Sequence, residues 1–428
     1  MNVKVNKLPK SEVELVIELS QDELKPFIEK AVKDISKKTE IKGFRPGMAP
    51  YEVLEKQVGA MQIYQEAGEN AIRDTYPKAV IDNKLLTIGQ PKIDLEKIAP
   101  ENPFIYKARV SLVPEVTLGE YKTIKVEKKE VKVEDKDIEG TIKNIQKMFA
   151  KETKSDKPVT MGNKIEVDMD TYVDKVAIDG GQSKGQQVMV GEGQYIPGFE
   201  DNLVGMTIGQ EKEFQLKFPK EYHKKDLAGK PVDFKVKVNS IFIMEEPPVD
   251  DALAKQAGQF ETLADMKKQL EKNILQEKNN KEKQRWELGV IEKLISISKF
   301  GEIPEVLLGY ELNKMIHELE HEVTTQGMKF EDYLASIKKS AEDLKKEFVP
   351  QAEKRIKTSL SLRNIASKEK VVVDDSEVAK EIEAAKVQYQ SQPDMLKQFE
   401  TDEYKEYIRN ILRSQKVFKF LEKQSSVK

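Results

Sequence analysis

The amino-acid pattern changes twice along the chain, near residues 158 and 246, and this excludes a single uniform core. Between those points glycines, turns and short β-branched runs predominate, whereas apolar residues on either side recur at helical spacing. A period of two and a period of about 3.6 residues belong to different elements. We therefore predict a β-rich insert of about ninety residues inside a mostly helical chain of 428 residues.

The first part of the chain predicts a small α+β unit. Two alternating runs, Val3–Val5 and Val13–Leu19, predict a β-hairpin whose turn lies at residues 9–11. Ser20 then begins a helix, because Glu23 three residues later completes a capping box.

Further elements follow from the same kind of pattern. A longer helix is predicted over 51–81 and a linker helix over 134–153. Three segments alternate like strands, namely 92–98, 104–113 and 124–133. After the insert, apolar stripes predict helices over 270–297, 304–323, 330–337, 341–367, 375–390 and 404–423.

Composition narrows the classes of function. The chain has no cysteine, which excludes a disulfide, a thiolate nucleophile and a cysteine-ligated metal. Its 72 basic and 75 acidic residues nearly balance, which argues against a general nucleic-acid binder. No Gly-x-x-x-x-Gly-Lys-Ser/Thr loop occurs, so ATP-driven cycling is not expected. The start lacks a signal-peptide pattern and no run of ~18 apolar residues occurs, so we expect a cytoplasmic protein without membrane contact.

A proline- and glycine-rich segment separates two of the predicted helices. Its residues are Lys42, Gly43, Phe44, Arg45, Pro46, Gly47, Met48, Ala49 and Pro50. Such a composition predicts a tight, exposed turn, on which a Phe beside an Arg can anchor a partner. Residues 25–46 hold seven basic and three acidic side chains, which favours an anionic partner. The alternative is a plain helix connection whose Phe44 folds back into the core.

This segment resembles the signature of the trigger factor family, Gly-Phe-Arg-x-Gly-x-x-Pro, at every fixed position. The resemblance implies a ribosome-associated chaperone whose loop binds a ribosomal protein and ribosomal RNA beside the exit tunnel. The fourth position, often basic in relatives, is Pro46 here, which predicts a weaker phosphate contact. Nascent and unfolded polypeptides are the implied clients, and a weak homodimer away from the ribosome stays open.

The insert resembles peptidyl-prolyl isomerases of the FKBP type over nearly all of 158–245. The similarity is carried by residues 195–201, 218–223 and 234–238. It implies that the Ile196 N–H binds the substrate carbonyl and that Phe199 is the pocket floor. The implied walls are Tyr195, Tyr222 and Phe234. Isomerisation needs no metal or nucleophile, because a dry pocket that favours the twisted amide lowers its barrier of ~18–20 kcal/mol.

Three positions of the insert depart from the FKBP pattern. Met169 stands where an aromatic residue is usual, Ile178 replaces a usual Phe before the expected Asp179, and Gln186 replaces another aromatic residue. These exchanges predict a shallower pocket with slow turnover. The alternative is a domain that keeps the fold without the activity.

Residues 317–321 match H-E-x-x-H, the zinc-peptidase pattern. His317 and His321 share a helix face, and Glu318 could activate water. The charged Glu320 and Glu322 beside them do not suit the dry site that this chemistry needs. We therefore expect a solvated helix face, without a metal or another cofactor.

The sequence thus predicts an α+β multidomain protein. Its expected parts are an α+β ribosome-binding domain over 1–115, a linker along the C-terminal body over 116–153, an FKBP-like isomerase domain over 154–246 and a helical chaperone domain with arms over 247–428. The expected function is an ATP-independent chaperone that docks at the ribosomal exit tunnel, shields nascent chains and isomerises prolyl bonds. The alternatives are a stand-alone isomerase or holdase without ribosome docking, and a zinc peptidase.

Overall fold

The computed structural model describes residues 1–100, 102–173, 176–221, 227–390 and 393–426, and for Asp179, Gly180, Asp394, Ser425 and Ser426 it describes the backbone alone. The chain forms two compact units, one of residues 1–127 with 285–428 and the other of residues 128–284. None of the helices within the described ranges is long and apolar enough to cross a membrane. The division into four domains stays a prediction.

The first unit begins with the expected α+β arrangement. Its elements are β1 (Asn2–Leu8), β2 (Glu12–Leu19), α1 (Gln21–Lys38), α2 (Tyr51–Val58), α3 (Ala60–Asp82), β3 (Thr87–Lys97), β4 (Phe104–Leu112) and β5 (Val116–Thr117). Four of the strands form an antiparallel sheet in the order β1-β2-β4-β3. Alternate residues of β2 are buried and pack with Phe104 and Tyr106 against α1 and α3.

The predicted hairpin is confirmed, and its turn consists of residues that seldom adopt this conformation. Lys10 and Ser11 have φ values of 58° and 53°, as in a type I′ turn, where glycine or asparagine is usual. The Lys10 N–H donates to Glu302 Oε2 at 2.7 Å, and the Ser11 hydroxyl donates to the Glu302 carbonyl at 2.6 Å. A salt bridge of 2.6 Å joins Lys10 to Glu305. These contacts offset the strain of the turn.

The predicted capping box is confirmed at Ser20 and Glu23, where α1 begins. The single helix predicted over 51–81 is wrong, because α2 and α3 are separate helices that meet at Gly59. Gly59 has φ 84° and ψ 147°, a conformation that only glycine adopts readily. The apolar periodicity continues on both sides of Gly59, which is why the pattern alone suggested one helix.

The second unit contains the β-rich insert, whose predicted character is confirmed. Its elements are α4 (Asp135–Met148), β6 (Lys151–Lys154), β7 (Asn163–Val173), β8 (Val176–Met189), α5 (Phe199–Leu203), β9 (Glu211–Lys217), β10 (Pro231–Glu245), α6 (Asp251–Ala257) and the first part of α7 (Leu263–Ile297). The sheet order is β6-β10-β7-β8, and β9 pairs with the first half of β10. Its core includes Phe199, Leu203 and Val236.

The linker helix is shorter than the predicted range of 134–153. Helix α4 ends at Met148, and residues 151–154 form β6, which is antiparallel to residues 242–245 of β10. That edge of β10 offers unpaired backbone groups, and pairing with them outweighs the local helical tendency.

The rest of the first unit is mainly helical, as predicted. Its elements are β11 (Lys299–Phe300), α8 (Glu305–Thr325), α9 (Phe330–Ser336), α10 (Ala341–Lys368), α11 (Asp375–Gln388), α12 (Pro393–Phe399) and α13 (Asp402–Ser426). Strand β11 pairs with β5, so the two segments of this unit share a short ladder. Helix α12 has only seven residues and was not predicted.

The strand predicted over 124–133 is wrong. These residues join no ladder in the described part of the chain, and residues 124–127 lie along α7, whose own backbone groups are already paired. Side chains of α7 replace the missing strand partner. Trp286 Nε1 donates to the Val126 carbonyl at 3.0 Å, and Arg285 Nη2 donates to the Glu127 carbonyl at 2.6 Å.

Two glycines of the first unit allow a direct test of the break between α2 and α3. Neither Gly59 nor Gly309 has a neighbour within 4 Å of an added Cβ, but only Gly59 has a positive φ. We expect Gly59→Ala to lower the free energy of unfolding by about 1–3 kcal/mol, and Gly309→Ala, inside α8, to raise it by about 0.5–1 kcal/mol. Denaturant titration followed by Trp286 fluorescence measures both. Equal effects of the two substitutions would contradict the assigned role of Gly59.

Candidate functional site

Aromatic rings of the second unit meet around Phe199, the first residue of α5. Phe199 stacks on Tyr195 with ring centroids 4.6 Å apart. It also meets Phe234 edge-on at 5.2 Å and Phe214 at 5.6 Å. Phe214 and Phe234 are cross-strand partners on β9 and β10, and their rings stack at 5.6 Å. Aromatic pairs at such distances stabilise one another beyond simple burial, so the rings form a fixed apolar cluster.

The structure brings most of the predicted pocket residues to this cluster. Met169, Ile178 and Ile196 are partly buried against the same core as the rings. Tyr222 and the side chain of Asp179 lie outside the described residues. The catalytic roles of all these residues stay predictions.

A Pro-Gly turn places Ile196 next to Phe199. The Phe199 N–H donates to the Ile196 carbonyl at 3.0 Å, and Gly198 has φ 87° and ψ −10°. These values define a type II turn with Pro197 and Gly198 at its centre. The Ile196 N–H has no hydrogen-bond partner among the residues that the structure describes, so it is available to a substrate carbonyl.

A buried carboxylate holds the loop that precedes this turn. Glu200 accepts four backbone N–H bonds of 2.7–3.4 Å, and the donors are Gly191, Gly193, Gln194 and Tyr195. Burial opposes ionisation, but these bonds outweigh it and hold the pKa of the Glu200 carboxyl below its usual value. Glu200 is therefore ionised at neutral pH and fixes the backbone that carries the Tyr195 ring.

Glu200 and Phe214 belong to the site without being among the predicted residues. Phe214 does have a sequence signal, since Phe214 and Leu216 alternate with polar residues along β9 and share one face of the sheet. Glu200 has none, because its role depends on the way residues 191–195 curl around its carboxylate.

The second predicted site, the segment between α1 and α2, consists of two consecutive turns. They span residues 41–44 and 45–48, and in each the last N–H donates to the first carbonyl, at 3.2 and 3.0 Å. Gly43 and Gly47 occupy the third position of each turn with φ values of 89° and 82°. A type II turn requires this positive φ, which explains both glycines.

The base of this segment is buried and its tip is exposed. Ile41 and Ala49 pack in a core with residues of α1, α2 and α3, and the Gly47 N–H donates to the Ser36 carbonyl at 3.1 Å. Phe44 is 41% exposed. The alternative in which Phe44 folds back into the core is therefore wrong.

The exposed side chains of the tip are apolar or basic. They belong to Lys42, Phe44, Arg45, Pro46, Met48 and Pro50. Lys37 on the neighbouring α1 pairs with Asp34 at 3.6 Å, but neither Lys42 nor Arg45 pairs its side chain with another residue of the described ranges. Both cations are thus open to an external anion.

The H-E-x-x-H segment lies on the solvent face of α8. His317 is exposed, and its Nδ1 lies 3.3 Å from Glu320 Oε2. The Glu318 carboxylate, which a zinc peptidase would need as a base, accepts a bond of 2.7 Å from Arg355. Within the described ranges no three His, Asp or Glu side chains are grouped to hold a metal ion. The segment is accounted for by surface ion pairs.

The aromatic cluster and its turn belong to a known class of enzyme. Residues 154–239 match the family profile described as FKBP-type peptidyl-prolyl cis-trans isomerase. The chain is therefore a peptidyl-prolyl isomerase of the FKBP type, as its sequence predicts.

The segments on both sides of the isomerase define the family. Profiles described as bacterial trigger factor protein and as its C-terminus match residues 1–145 and 262–423. The trigger factor of Caldicellulosiruptor bescii is 30% identical over 100% of this chain and 97% of its own length. That of Geobacillus kaustophilus is 34% identical over 93% of each chain, and that of Halalkalibacterium halodurans 33% identical over 99% of each. The chain belongs to the trigger factor family and is a chaperone with a prolyl-isomerase domain.

A solved structure of a trigger factor has the same fold. It is described by the words "Promiscuous Substrate Recognition in Folding and Assembly Activities of the Trigger Factor Chaperone", is 24% identical, covers 100% of both chains and superposes with a TM-score of 0.50. The predicted fold class, an N-terminal α+β part, an FKBP-like β-rich insert and a helical C-terminal part, is confirmed.

Replacing the buried carboxylate tests its role in the site. In Glu200→Gln one oxygen becomes an NH₂ group that faces N–H donors, so we expect loop 191–195 to open at least tenfold more often, since bonds to a charged group contribute about 1.5–3 kcal/mol. Hydrogen exchange of this loop, read by mass spectrometry, measures the change. Glu211→Gln, on the exposed face of the same unit, is the matched control and should leave the exchange unchanged.

The same loop should be sensitive to acid. Because the folded-state pKa of Glu200 is lowered from 4.5, its stabilising contribution is present above that pH and is lost as the pH falls through the lowered pKa. We expect protection of the loop, corrected for the intrinsic pH dependence of exchange, to fall below about pH 4.5 in the unchanged protein. The Glu200→Gln variant should lack this step. Identical pH profiles for both proteins would exclude the proposed anchor.

Proposed function

We propose that this protein docks at the ribosomal exit tunnel through the tip at residues 42–48, shields nascent chains without ATP, and isomerises their prolyl bonds in the cytoplasm. One observation carries the docking proposal, namely the exposed Phe44 beside Arg45, whose side chain has no partner in the described part of the chain, on a tip held by two turns. Membership of the trigger factor family supports the ribosome and nascent chains as partners.

The tip is suited to docking because it is already ordered. Its two turns and its buried base leave little conformational entropy to lose on binding. Phe44 offers apolar area that a partner pocket can enclose, and Arg45 can bind a carboxylate or a phosphate through two parallel hydrogen bonds. Aromatic and arginine anchors of this kind carry most of the energy in many interfaces. Pro46 adds rigidity but no charge, which limits the number of phosphate contacts.

A basic face of α1 leads to the tip. Lys30, Lys33 and Lys37 follow one another at helical spacing and share that face, and the Lys37 side chain lies against Gly47. Charges beyond the direct contact steer association with a polyanion such as ribosomal RNA and make it sensitive to salt. The docking surface therefore combines one apolar anchor with an electrostatic approach.

The helical region is suited to holding unfolded segments. Val306, Tyr310 and Met328 leave apolar surface exposed on and just after α8, and such surface binds apolar client segments weakly and broadly. A client segment bound this weakly can dissociate without ATP. A weak homodimer away from the ribosome and the four-domain division 1–115, 116–153, 154–246 and 247–428 complete the proposal.

The aromatic cluster is the proposed place of catalysis. A prolyl ring would pack against the cluster around Phe199 and Phe234, with the Ile196 N–H bound to the substrate carbonyl. Removing water from the amide disfavours its polar planar form, and the fixed N–H positions the bound peptide. Smaller residues at Met169 and Ile178 enclose the ring less tightly, which supports slow turnover.

Co-sedimentation with purified 70S ribosomes at low salt tests docking. We expect the unchanged protein to pellet with ribosomes, and Phe44→Ala/Arg45→Ala to bind about 10- to 100-fold more weakly, because both anchors are lost. Raising the salt concentration should weaken the unchanged protein more steeply than the variant, which makes fewer phosphate contacts.

The matched control is Leu86→Ala/Arg73→Ala, which removes an exposed apolar side chain and an exposed arginine elsewhere in the same unit. It should pellet like the unchanged protein. If the control weakens binding as much as the tip variant, or if no protein pellets, docking through the tip is wrong. A stand-alone isomerase or holdase then describes the protein better.

Catalysis at the aromatic cluster is tested with Phe234→Leu, which removes a ring but keeps much of its volume. We expect kcat/KM on a short peptide with a single prolyl bond to fall about tenfold, with a loss of stability under about 1.5 kcal/mol. Ile241→Val removes a methyl group from the same core away from the rings and should lose stability but not activity. Equal losses of activity in both variants would assign the effect to folding.

A further inference from the structure

The proposed pocket floor is covered in this structure. Phe199 has no exposed surface at all, although a floor must be reached by the substrate ring. A fully buried side chain cannot contact a ligand until a neighbour moves. One of the residues packed around Phe199 must therefore open the site.

Tyr195 is a neighbour of Phe199 that can move. Its ring is stacked on one face of Phe199, with centroids 4.6 Å apart and an interplanar angle of 20°, which is the position a flat substrate ring would take. Phe234 and Phe214 lie within paired strands and stack on each other. Of the three rings packed on Phe199 in the described part of the chain, Tyr195 is the one that lies in a loop, and it is partly exposed, so its side chain has room to rotate.

Gln186 lies beside this ring. Burial raises the pKa of the Tyr195 hydroxyl, and interaction with the exposed Gln186 side chain opposes that shift. The backbone beneath the ring is fixed by Glu200, whose carboxylate accepts the Tyr195 N–H at 3.4 Å and the Gln194 N–H at 2.9 Å. Opening thus requires only rotation of the Tyr195 side chain away from Phe199 and Gln186.

We propose that Tyr195 is a cap that occupies the prolyl site of the free protein and must swing off Phe199 before a prolyl ring can bind. This inference rests on the proposed assignment of Phe199 and Phe234 to the pocket. It replaces the expected role of Tyr195 as a wall, and it makes Tyr195 and Gln186 the residues that limit access to the isomerase.

The cap should weaken the apparent affinity of the isomerase for its substrate. If only a fraction of the molecules is open, the apparent affinity for substrate falls by that fraction, while the bound complex reacts at an unchanged rate. Removing the ring should therefore lower KM and leave kcat nearly unchanged. A wall that touches the substrate predicts the opposite sign, since its loss weakens binding.

The test uses the full chain with a short peptide that contains one prolyl bond. We expect Tyr195→Ala to raise kcat/KM about three- to tenfold, mainly through KM. Tyr195→Phe and Gln186→Ala both remove the interaction of the hydroxyl with Gln186 but keep the ring, so each should give a smaller gain. Because they remove the same interaction, the double variant Tyr195→Phe/Gln186→Ala should gain no more than either one.

The outcomes separate this inference from the assignment of the pocket. A fall or no change in kcat/KM for Tyr195→Ala overturns the cap, and so does a full additive gain in the double variant. Phe234→Leu in the Tyr195→Ala background should still lose activity about tenfold. If it does not, the pocket is misassigned. The conservative variants Tyr195→Phe and Gln186→Ala keep the test valid if Tyr195→Ala folds poorly, which hydrogen exchange of loop 191–195 would show.

Discussion

Backbone N–H and C=O groups that leave water need hydrogen-bond partners, and three irregular segments of this chain lie where neither helices nor ladders provide them. Each segment is instead fixed by a particular donor or acceptor. Trp286 donates a hydrogen bond to the extended residues along α7, and Glu200 accepts hydrogen bonds from the loop before the pocket. The Ser36 carbonyl accepts the Gly47 N–H below the tip. These hydrogen bonds give each irregular segment a fixed conformation. The carboxylate has the largest effect, because one charged group pairs four N–H donors.

The tip and the pocket contain the same kind of turn. A Pro-Gly pair lies at the centre of a turn in both, with Gly47 at φ 82° and Gly198 at φ 87°. In each case an aromatic residue adjoins the turn, Phe44 before the first and Phe199 at the end of the second. The fixed φ of proline and the left-handed glycine set the direction of the ring without help from a regular element. One ring faces solvent and the other is fully buried, so the surrounding packing decides which task the turn performs.

The sequence pattern correctly predicted the elements that depend on residues close together in the chain. The hairpin, the capping box at Ser20 and the long helix α7 follow from spacing alone, and the rings at Phe199 and Phe234 follow from motif. The break at Gly59 was missed because a single glycine does not disturb the apolar period. The strand at 151–154, the extended residues 124–127 and the role of Glu200 were missed for other reasons. The first two depend on partners distant in sequence, namely the edge of β10 and the side chains of α7, so no short window of the sequence contains both partners. Glu200 lies only five to nine residues from its N–H donors, but its role depends on the way residues 191–195 curl around its carboxylate, which residue spacing does not show.

The strained turn at Lys10 and Ser11 has a consequence for synthesis of the chain. Its supporting partner Glu302 lies 292 residues later, so at about 5–20 residues per second it arrives roughly 15–60 seconds after the turn itself. During that interval the hairpin lacks the contacts that offset its left-handed backbone. The second unit, by contrast, is one continuous stretch of residues 128–284 and can fold as soon as it emerges. The unit that contains both ends of the chain is thus completed last, and the protein spends much of its own synthesis as an incompletely folded nascent chain.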